Sequence, residues 1–546
     1  MTVLTALARV AAATAGRAVP TKTVRHVHLS GRPLVLVAAQ LAGEACAPLA
    51  VLAGDDREKP TLLAVYEPRD RTQRFEFAAD LAAIVLPYID GYAGDGDVTE
   101  HGVTDHGAPG QVERAGPYPD APQLLVPNLP TVGFLRLLGR STRFRKTEGE
   151  YAVPATVPLL GRWLTYFAER AEVTPSAQLL PVAAVLADHW ATGQSAVEDA
   201  NLAALLGWID PPAGLTGLAA ARAAEDPVRC PPAGPVTDPA FDNEVLAPIL
   251  QAVRTEREQK RAPLSPGLRR EGATQERTSD EGGGRGLERA EASAGSTAMD
   301  HALRAQLEPT WALMWRAVDL LAAMPAAAHA EQRWLSDRWS FTSQVAWIRE
   351  GGAPQARRDG AVAAARRLAR LEREQQRLAV ERAYDDPLVM AEYRMSGEAF
   401  SGVVTGVEQD RLEPGRRPVL RPLLTVATSD EVLFEPGAVL RSPARPGQQA
   451  TVTEVVPPGT QGTSAGPAGG DGRTQVVLEL KGGMGRSLTP PPGSVPALGE
   501  YVTYTSQHDD FRPAPKFPDQ EDTPWTHGGP PPEYVPDDED AREDWS

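Results

Sequence analysis

Two short segments decide the fold: residues 365–372 read ARRLARLE, and residues 401–407 read SGVVTGV. Around the first segment leucines recur at heptad spacing, which predicts one long helix with an apolar seam. A proline restricts the backbone of the residue before it, so Asp385-Asp386-Pro387 predicts a turn at the end of this helix. The second segment begins a series of short strands separated by Gly and Pro. Residues 357–506 therefore predict a helical hairpin followed by a small β-barrel.

The predicted barrel has six strands. Each candidate segment is rich in apolar and β-branched residues and is bounded by turn-forming residues. A closed barrel is favoured over an open sheet because closure removes the exposed edges at which strands aggregate. The six segments are residues 400–409, 423–428, 438–441, 450–456, 474–481 and 499–505.

The region before this unit divides into three parts. An amphipathic pattern at residues 75–88 follows three strand-like runs, which predicts a β-meander capped by a helix. From residue 124 to residue 250 the apolar spacing is helical. Residues 253–298 contain almost no large apolar side chains, so this segment cannot bury enough surface to fold. The three strand-like runs are residues 33–40, 48–53 and 61–66.

The predicted fold class is multidomain α+β. It comprises a small N-terminal β-meander and helix domain, an all-α middle domain, a disordered linker, a helical hairpin followed by a small β-barrel, and a disordered acidic tail. The predicted boundaries are 1–118 (small α+β domain), 119–252 (all-α domain), 253–298 (linker), 299–395 (Trp-rich helical domain with the long basic helix), 396–508 (β-barrel) and 509–546 (acidic tail).

The charge is concentrated at the C-terminus. The formal net charge of the 546 residues is −17, and residues 509–546 carry twelve acidic and three basic residues. The body of the protein is therefore only mildly acidic. It lacks the strongly basic balance of a protein that binds nucleic acid over its whole surface.

The sequence predicts a cytoplasmic bacterial protein. Two distant cysteines exclude a disulfide framework and a Cys-based zinc ribbon. The Ala-rich N-terminus lacks the positively charged region of a signal peptide, and no apolar run is long enough to span a membrane. The low lysine content, with abundant Ala, Arg, Gly and Pro, suggests a GC-rich genome.

Five of the ten tryptophans fall between residues 311 and 347. Aromatic packing in a helical core is the favoured interpretation. Stacking of nucleic-acid bases on exposed indoles is the alternative.

No motif predicts a defined reaction, a cofactor or a metal ion, and the sequence leans towards a protein without catalytic activity. The run GGGRG at residues 282–286 has no strand before it, so it is not a phosphate-binding loop. Asp56, Glu67 and Arg69 resemble the two carboxylates and the cation of metal-dependent nucleases. Arginine cannot share in proton transfer as lysine does, so a turn and a surface ion pair are the favoured interpretation.

The histidines form two pairs without a complete ligand set. His26 and His28 are two residues apart and would point to the same side of a strand. His101 and His106 lie in an acidic, Gly-rich loop that lacks the spacing of a calcium site. Solvated or half-buried positions are favoured for both pairs.

Two basic groups are candidates for contact with phosphates. One comprises Arg140, Arg143, Arg145 and Lys146 in the first half, and the other is the arginine stripe of the long helix. Residues 357–382 contain eight arginines and four acidic residues, and four of these arginines share one side of the long helix. For the stripe, a solvated helix face with local acidic partners is the favoured interpretation, and contact with phosphates is the alternative. The candidate nucleic-acid-binding residues are Arg366, Arg370, Arg373 and Arg377 on the helix, and Arg143, Arg145 and Lys146 in the first half.

Residues 357–506 resemble the stalk and β-barrel insertion of Upf-like superfamily-1 helicases. The resemblance is carried by residues 365–372, by the barrel start at 401–407, and by residues 496–504, which read PALGEYVTY. In that family the barrel packs over the nucleic-acid channel and the stalk links it to the motor. The chain lacks the motor motifs, so the resemblance implies an accessory part and a partner ATPase or helicase.

The predicted function is that of a non-enzymatic binding or scaffold protein, as an accessory factor to a nucleic-acid-processing ATPase. Its ligand would be DNA or RNA, and its acidic tail would dock a basic partner or occupy the basic groove of the protein itself. One alternative is a degenerate metal-dependent nuclease in the N-terminal domain. The other is a scaffold that binds only proteins.

Overall fold

The computed structural model describes residues 3–44, 47–93, 116–232, 234–261, 294–413, 418–458, 472–485, 487–509 and 516–518. These residues form twelve α-helices and fifteen strands, which confirms the multidomain α+β class. Most of the predicted linker and of the predicted acidic tail lies outside the described residues. The same is true of Cys46 and of the loop that contains His101 and His106.

The N-terminal sheet contains the predicted meander and two further strands. Strands β2, β3 and β4 pair antiparallel, and β5 and β6 extend the sheet in parallel in the order β4-β3-β2-β5-β6. Both added strands come from the segment predicted as all-α. Each is three residues long, which is too short for an alternation pattern to be recognised. The bounds are Leu34–Gln40 (β2), Pro48–Gly54 (β3), Thr61–Ala64 (β4), Leu124–Val126 (β5) and Leu179–Pro181 (β6).

Helices surround this sheet, and a short pair of strands, Val19–Pro20 (β1) and Trp190–Ala191 (β7), lies beside it. The helices before the predicted linker are Val3–Ala15 (α1), Arg71–Ala93 (α2), Leu129–Thr142 (α3), Thr156–Arg170 (α4), Val182–His189 (α5), Leu202–Ile209 (α6), Gly217–Ala224 (α7) and Ala247–Arg261 (α8), with a 3₁₀ turn at Glu198–Ala200 and a π-helical turn at Phe241–Leu246. The later helices are Ala294–Ala322 (α9), Ala330–Arg349 (α10), Ala361–Asp385 (α11) and Pro387–Met395 (α12).

One apolar core joins three segments that the sequence treats as separate units. A continuous buried cluster runs from Ala18 to Val345 and includes residues of the sheet, of α2 to α6, and of α9 and α10. Successive side chains of a strand point to opposite faces, and six consecutive residues of β2 are buried, so both faces of the sheet are covered. Helix α9, which follows the linker in sequence, packs on β2, β3 and β4. Pairing of distant segments of this kind leaves no local signal in the sequence.

Three of the five tryptophans belong to this core. Trp311, Trp315 and Trp334 are at most 8% exposed, which confirms core packing for them. Trp339 and Trp347 on α10 are 42% and 50% exposed. Packing therefore accounts for only part of the tryptophan cluster.

Helix α11 ends at the predicted turn. Asp386, which is fully buried, caps the N-terminus of α12 by accepting a hydrogen bond from the Leu388 backbone N–H at 2.9 Å. The same carboxylate accepts hydrogen bonds from the backbone N–H and the hydroxyl of Thr23, at 2.8 and 3.0 Å, and lies 3.4 Å from His26 Nε2. One side chain therefore holds the junction of the two helices against the N-terminal region.

The C-terminal strands form the predicted closed six-stranded barrel, in the order β11-β14-β13-β12-β15-β8 with β8 paired again to β11. Phe400, Leu478 and Tyr504 are among the residues that fill its interior. A small hairpin of Leu412–Glu413 (β9) and Val419–Leu420 (β10) projects beside it. The barrel strands are Ala399–Glu408 (β8), Leu423–Thr428 (β11), Val439–Ser442 (β12), Arg445–Val456 (β13), Thr474–Lys481 (β14) and Tyr501–Thr505 (β15).

The sequence predicts no membrane-spanning helix. None of the helices within the described ranges combines the length and the apolar character needed to cross a bilayer.

Candidate functional site, an arginine-lined cleft

Helices α3 and α4 pack closely and position one wall of a cleft. Asn128 begins α3 by accepting the Thr131 backbone N–H at 3.1 Å, and Gly139 and Gly161 allow the two backbones to approach. A Cβ atom at position 161 would lie 2.4 Å from the backbone nitrogen of Arg143 and 2.7 Å from its Cα. Glycine at this position therefore determines where Arg143 lies.

Replacing Gly161 by alanine is expected to lower the free energy of unfolding by about 1 to 3 kcal/mol, because rigid backbone atoms must move to admit a methyl group. Urea denaturation followed by circular dichroism measures the change. Gly133→Ala on α3 is the matched control, since no atom of the residues that the structure places lies within 4 Å of a Cβ built there. Alanine inside a helix gains about 0.5 to 1 kcal/mol over glycine, so the control is expected to be stabilised. Equal effects of the two substitutions would contradict the close packing.

The cleft lies between this helix pair and the segment that leads from α10 into α11. Its volume is about 660 Å³. Seven arginines and three carboxylates line it, an excess of four positive charges in a chain of net charge −17. We call it the arginine cleft, and its lining residues are Arg136, Arg140, Arg143, Thr165, Ala168, Glu169, Glu172, Gln355, Ala356, Arg357, Asp359, Ala363, Arg366, Arg367 and Arg370.

Arg143 ties the two walls of the arginine cleft together. Its guanidinium donates to the backbone carbonyls of Gln355 at 2.8 Å and of Ala356 at 3.1 Å, and it lies 4.6 Å from the centre of the Phe144 ring. Arg143 is only 3% exposed. It therefore shapes the cleft and adds positive potential from below the surface.

The three carboxylates balance part of the positive charge. Glu172 pairs with Arg136 at 2.8 Å and also with Arg367, which in turn lies 3.3 Å from Asp359. Burial raises the pKa of Glu169, and the charges of Arg367 and Arg143 oppose this rise. Arginines engaged in these pairs form the framework of the cleft.

Other arginines of the cleft are directed to its open space. Arg140, Arg366 and Arg370 are exposed. Within the part of the chain that the structure describes, no hydrogen bond or ion pair holds any of these three side chains. Guanidinium groups fixed on rigid helices and left available in this way can form bidentate hydrogen bonds to phosphate or carboxylate groups.

The structure brings together three of the seven predicted nucleic-acid-binding residues: Arg143 from the first half of the chain, and Arg366 and Arg370 from α11. Arg373 is exposed on α11 but does not line the cavity. Arg377 pairs with Glu374 and lies 3.6 Å from Glu381.

The remaining two predicted residues lie outside the arginine cleft. Arg145 is 7% exposed, donates to the Ser141 carbonyl at 2.9 Å, and lies 5.0 Å from the centre of the Phe75 ring. Lys146 is exposed in the turn that follows α3.

Sequence reasoning did not assign three of the cleft arginines to a site: Arg136, Arg357 and Arg367. Arg136, Arg140 and Arg143 follow one another at i, i+4 and i+7, which puts them on one face of a helix. That spacing was a usable signal. Arg367 is adjacent to Arg366, and Arg357 begins the arginine-rich stretch 357–382, but only the tertiary structure places these two arginines in the cleft.

The three candidate catalytic residues each have a separate partner. Asp56 accepts the Glu58 backbone N–H at 2.9 Å in the turn between β3 and β4. Glu67 binds Arg254 through two carboxylate oxygens, with contacts as short as 2.9 Å, and Arg69 pairs with Glu44 at 2.6 Å. These contacts are those of a turn and of surface ion pairs.

His26 and His28 have different surroundings. His26 is 4% exposed and lies beside Asp386, whereas His28 stacks on Trp334 with 4.1 Å between the ring centres. Among the residues placed by the structure, no group of three or more His, Cys, Asp or Glu side chains is arranged to hold a metal ion.

Comparison with known proteins adds no family to these observations. No protein-family model, no curated protein and no solved structure matches the chain. The arginine cleft is therefore the structural feature that indicates a function.

Proposed function

We propose that this protein binds nucleic acid through the arginine cleft and acts as an accessory factor to a nucleic-acid-processing ATPase or helicase. The observation that carries the proposal is the convergence of seven arginines from α3, α11 and the segment before α11 on one cavity. Like charges repel one another, so such a cluster has a cost in the free protein that an anionic ligand offsets.

Arginine is the side chain best suited to this ligand. Its planar guanidinium matches the geometry of a phosphate group and keeps its charge at all physiological pH values. Arg140, Arg366 and Arg370 supply donors to the open space, while Arg143 holds the two walls at a fixed separation. A fixed separation reduces the ordering cost of binding.

The orientation of the N-terminal part of α11 favours a role for its arginines in binding, whereas farther along the helix Leu378 is buried in the usual way. Arg366 and Arg370 line the cavity, whereas Leu368 between them is 57% exposed. A surface helix normally turns its leucines to the protein and its arginines to water. Here the arginines turn to the cleft, which supports a role for them in binding.

The net negative charge of the chain restricts the binding of nucleic acid to basic sites on its surface. A protein of net charge −17 is repelled by a phosphate backbone except where a basic site meets it. The accessory role rests on the resemblance of a long helix and a following barrel to the stalk and barrel of Upf-like helicases. In this proposal a partner supplies ATP hydrolysis, and this chain supplies contact with the strand.

The expected result is measurable by titration of a short fluorescein-labelled oligonucleotide with the full chain at several salt concentrations. The double variant Arg366→Gln/Arg370→Gln removes two phosphate contacts. The magnitude of the slope of log K against log salt should therefore fall by about 1.4 for a single strand or about 1.8 for a duplex, and the affinity at low salt should fall by about 10- to 100-fold. Fluorescence anisotropy measures both quantities.

The matched control is Arg229→Gln/Arg304→Gln, which changes the net charge equally at surface ion pairs away from the arginine cleft. We expect its affinity to stay within about twofold of wild type, because neither arginine lines the arginine cleft. Exposed ion pairs contribute little to stability, so the control should also fold as wild type does. Failure of the wild-type protein to bind at low salt, or an equal loss in the control, would contradict the proposal.

A further inference from the structure

Trp347 is held in a fixed orientation near the arginine cleft. It lies at the end of α10, where the N–H of Gly352 donates to the Trp347 carbonyl at 2.8 Å and that of Gly351 donates to the Ile348 carbonyl at 3.1 Å. Gly351 has a φ of 74°, so these bonds form the motif that typically ends a helix with a left-handed glycine. The segment after α10 therefore turns back over the tryptophan.

The indole ring is fixed by this segment on one side only. Its Nε1–H donates to the Ala353 carbonyl at 2.8 Å, and a Cβ atom at position 352 would lie 2.3 Å from the ring. Gly352 is therefore in close contact with the indole, yet Trp347 is 50% exposed. The ring therefore presents a fixed aromatic surface to solvent.

The segment that holds Trp347 is also a wall of the arginine cleft. Ala353 binds the indole, and Ala356 lines the cavity and binds Arg143. These two residues are three positions apart, so at most about 11 Å of chain separates them. The Arg162 guanidinium donates to the Gly352 carbonyl at 2.7 Å, and the Arg162 backbone carbonyl accepts a hydrogen bond from the Gln355 side-chain amide at 3.2 Å. These two bonds attach the segment to α4.

We infer that the ligand of the arginine cleft is a single strand, with a base stacked on Trp347 and the adjoining phosphates held by the cleft arginines. This inference rests on the function proposed above and specifies the class of nucleic acid. Sequence-tolerant single-strand sites combine a basic groove with aromatic rings, because every base has a face on which to stack.

The size of the site favours a single strand over a duplex. A cavity of about 660 Å³ is of the size that holds a small molecule, so it admits only a short part of one strand. Bases in a duplex are stacked on one another, and their faces are not available to an indole on the protein surface. A duplex can therefore use the cleft arginines at the rim but not Trp347.

The test measures the binding of three unlabelled ligands to the full chain. Binding is followed by tryptophan fluorescence and by competition against a labelled strand. The ligands are a single-stranded oligonucleotide, a hairpin duplex of the same sequence, and inorganic polyphosphate, which has no bases. Trp347→Leu keeps an apolar side chain but removes the ring. We expect it to weaken single-strand binding by about 5- to 100-fold and to leave polyphosphate binding unchanged.

Trp339→Leu is the matched control, because Trp339 lies on the same helix with similar exposure, and among the residues that the structure describes its indole makes no hydrogen bond to the segment after α10. It should bind the single strand as wild type does, and Trp347→Phe should recover part of the lost affinity. Equal losses in both tryptophan variants, or no preference for the single strand over the hairpin, would overturn the inference. If polyphosphate and both nucleic acids bind equally well and with equal dependence on Arg366, the single-strand inference is overturned. The proposed function, binding of nucleic acid through the arginine cleft, would still agree with that result.

Discussion

Replacing Asp337 by alanine is expected to lower the free energy of unfolding by about 3 to 5 kcal/mol. Asp337 is 1% exposed on α10. Its carboxylate accepts hydrogen bonds from Arg170 at 2.6 Å, from the Ser176 hydroxyl at 2.7 Å and from the Ala177 backbone N–H at 2.7 Å. The substitution leaves the Arg170 guanidinium, 14% exposed, and two further donors without an acceptor.

The size of this effect follows from burial rather than from the ion pair alone. Burial raises the pKa of Asp337, and Arg170, Ala177 and Ser176 oppose that rise. In such surroundings a buried charge without a partner lowers the free energy of unfolding by much more than an intact ion pair raises it. The bonds of Asp337 also connect α10 to the end of α4, so their loss separates two helices next to the arginine cleft.

Urea denaturation at pH 7 measures the change, and Asp319→Ala provides the control. Asp319 makes an ion pair of the same length, 2.6 Å, with Arg57, but the two side chains are 57% and 49% exposed. An exposed pair contributes about 0 to 1 kcal/mol, so the control should differ little from wild type. Similar destabilisation by the two substitutions would show that burial does not set the energy of the Asp337 cluster.

Acidification from pH 6.5 to pH 4 is expected to destabilise the protein strongly through its buried imidazoles. Burial lowers the pKa of His189 to about 4 and that of His28 to about 4, and it also lowers the pKa of His26. An unfolded histidine has a pKa of about 6.5, so within this window the unfolded chain binds more protons than the folded one. Stability therefore rises with pH and falls on acidification. For His189, 1% exposed, the loss is on the order of 3 kcal/mol.

His28→Phe isolates one of these contributions. His28 stacks on Trp334 with an interplanar angle of 7°, and phenylalanine retains the stacking while removing the titrating group. The slope of unfolding free energy against pH should decrease by up to about 1.4 kcal/mol per pH unit between pH 4 and 6.5. Buried carboxyls with raised pKa, including that of Asp199, act in the opposite direction, so the measurement is the difference between variant and wild type.

Urea titrations at a series of pH values give both slopes. Above pH 7.5 histidine is neutral in both states, so the variant and the wild type should show parallel dependence there. Equal slopes at acid pH would mean that His28 takes up its proton in the folded protein as readily as in the unfolded one.

Local features of the fold were predictable because they depend on neighbouring residues. The bounds predicted for the barrel strands at 423–428 and 474–481 coincide with β11 and β14. The turn at Asp385-Asp386-Pro387 separates α11 from α12 as predicted. The alternation of side chains within a strand and a proline after a capping residue are both visible in a few consecutive residues.

Features that depend on distant residues were not predictable. Strands β5 and β6 have three residues each; β5 pairs with β2, and β6 pairs with β5. The single core across the linker likewise arises when α9 covers the sheet. Tertiary packing rather than intrinsic propensity decides such elements.

For the candidate site, the sequence by itself determined that Arg366 and Arg370 share one side of α11 and that Leu368 lies on another, since helical geometry fixes these angles. Only the tertiary structure decided which side meets the protein. It directs the arginines to a cavity shared with Arg143 and leaves Leu368 largely exposed. The physical reason is that periodicity defines the faces of a helix, whereas long-range packing and charge determine what each face contacts.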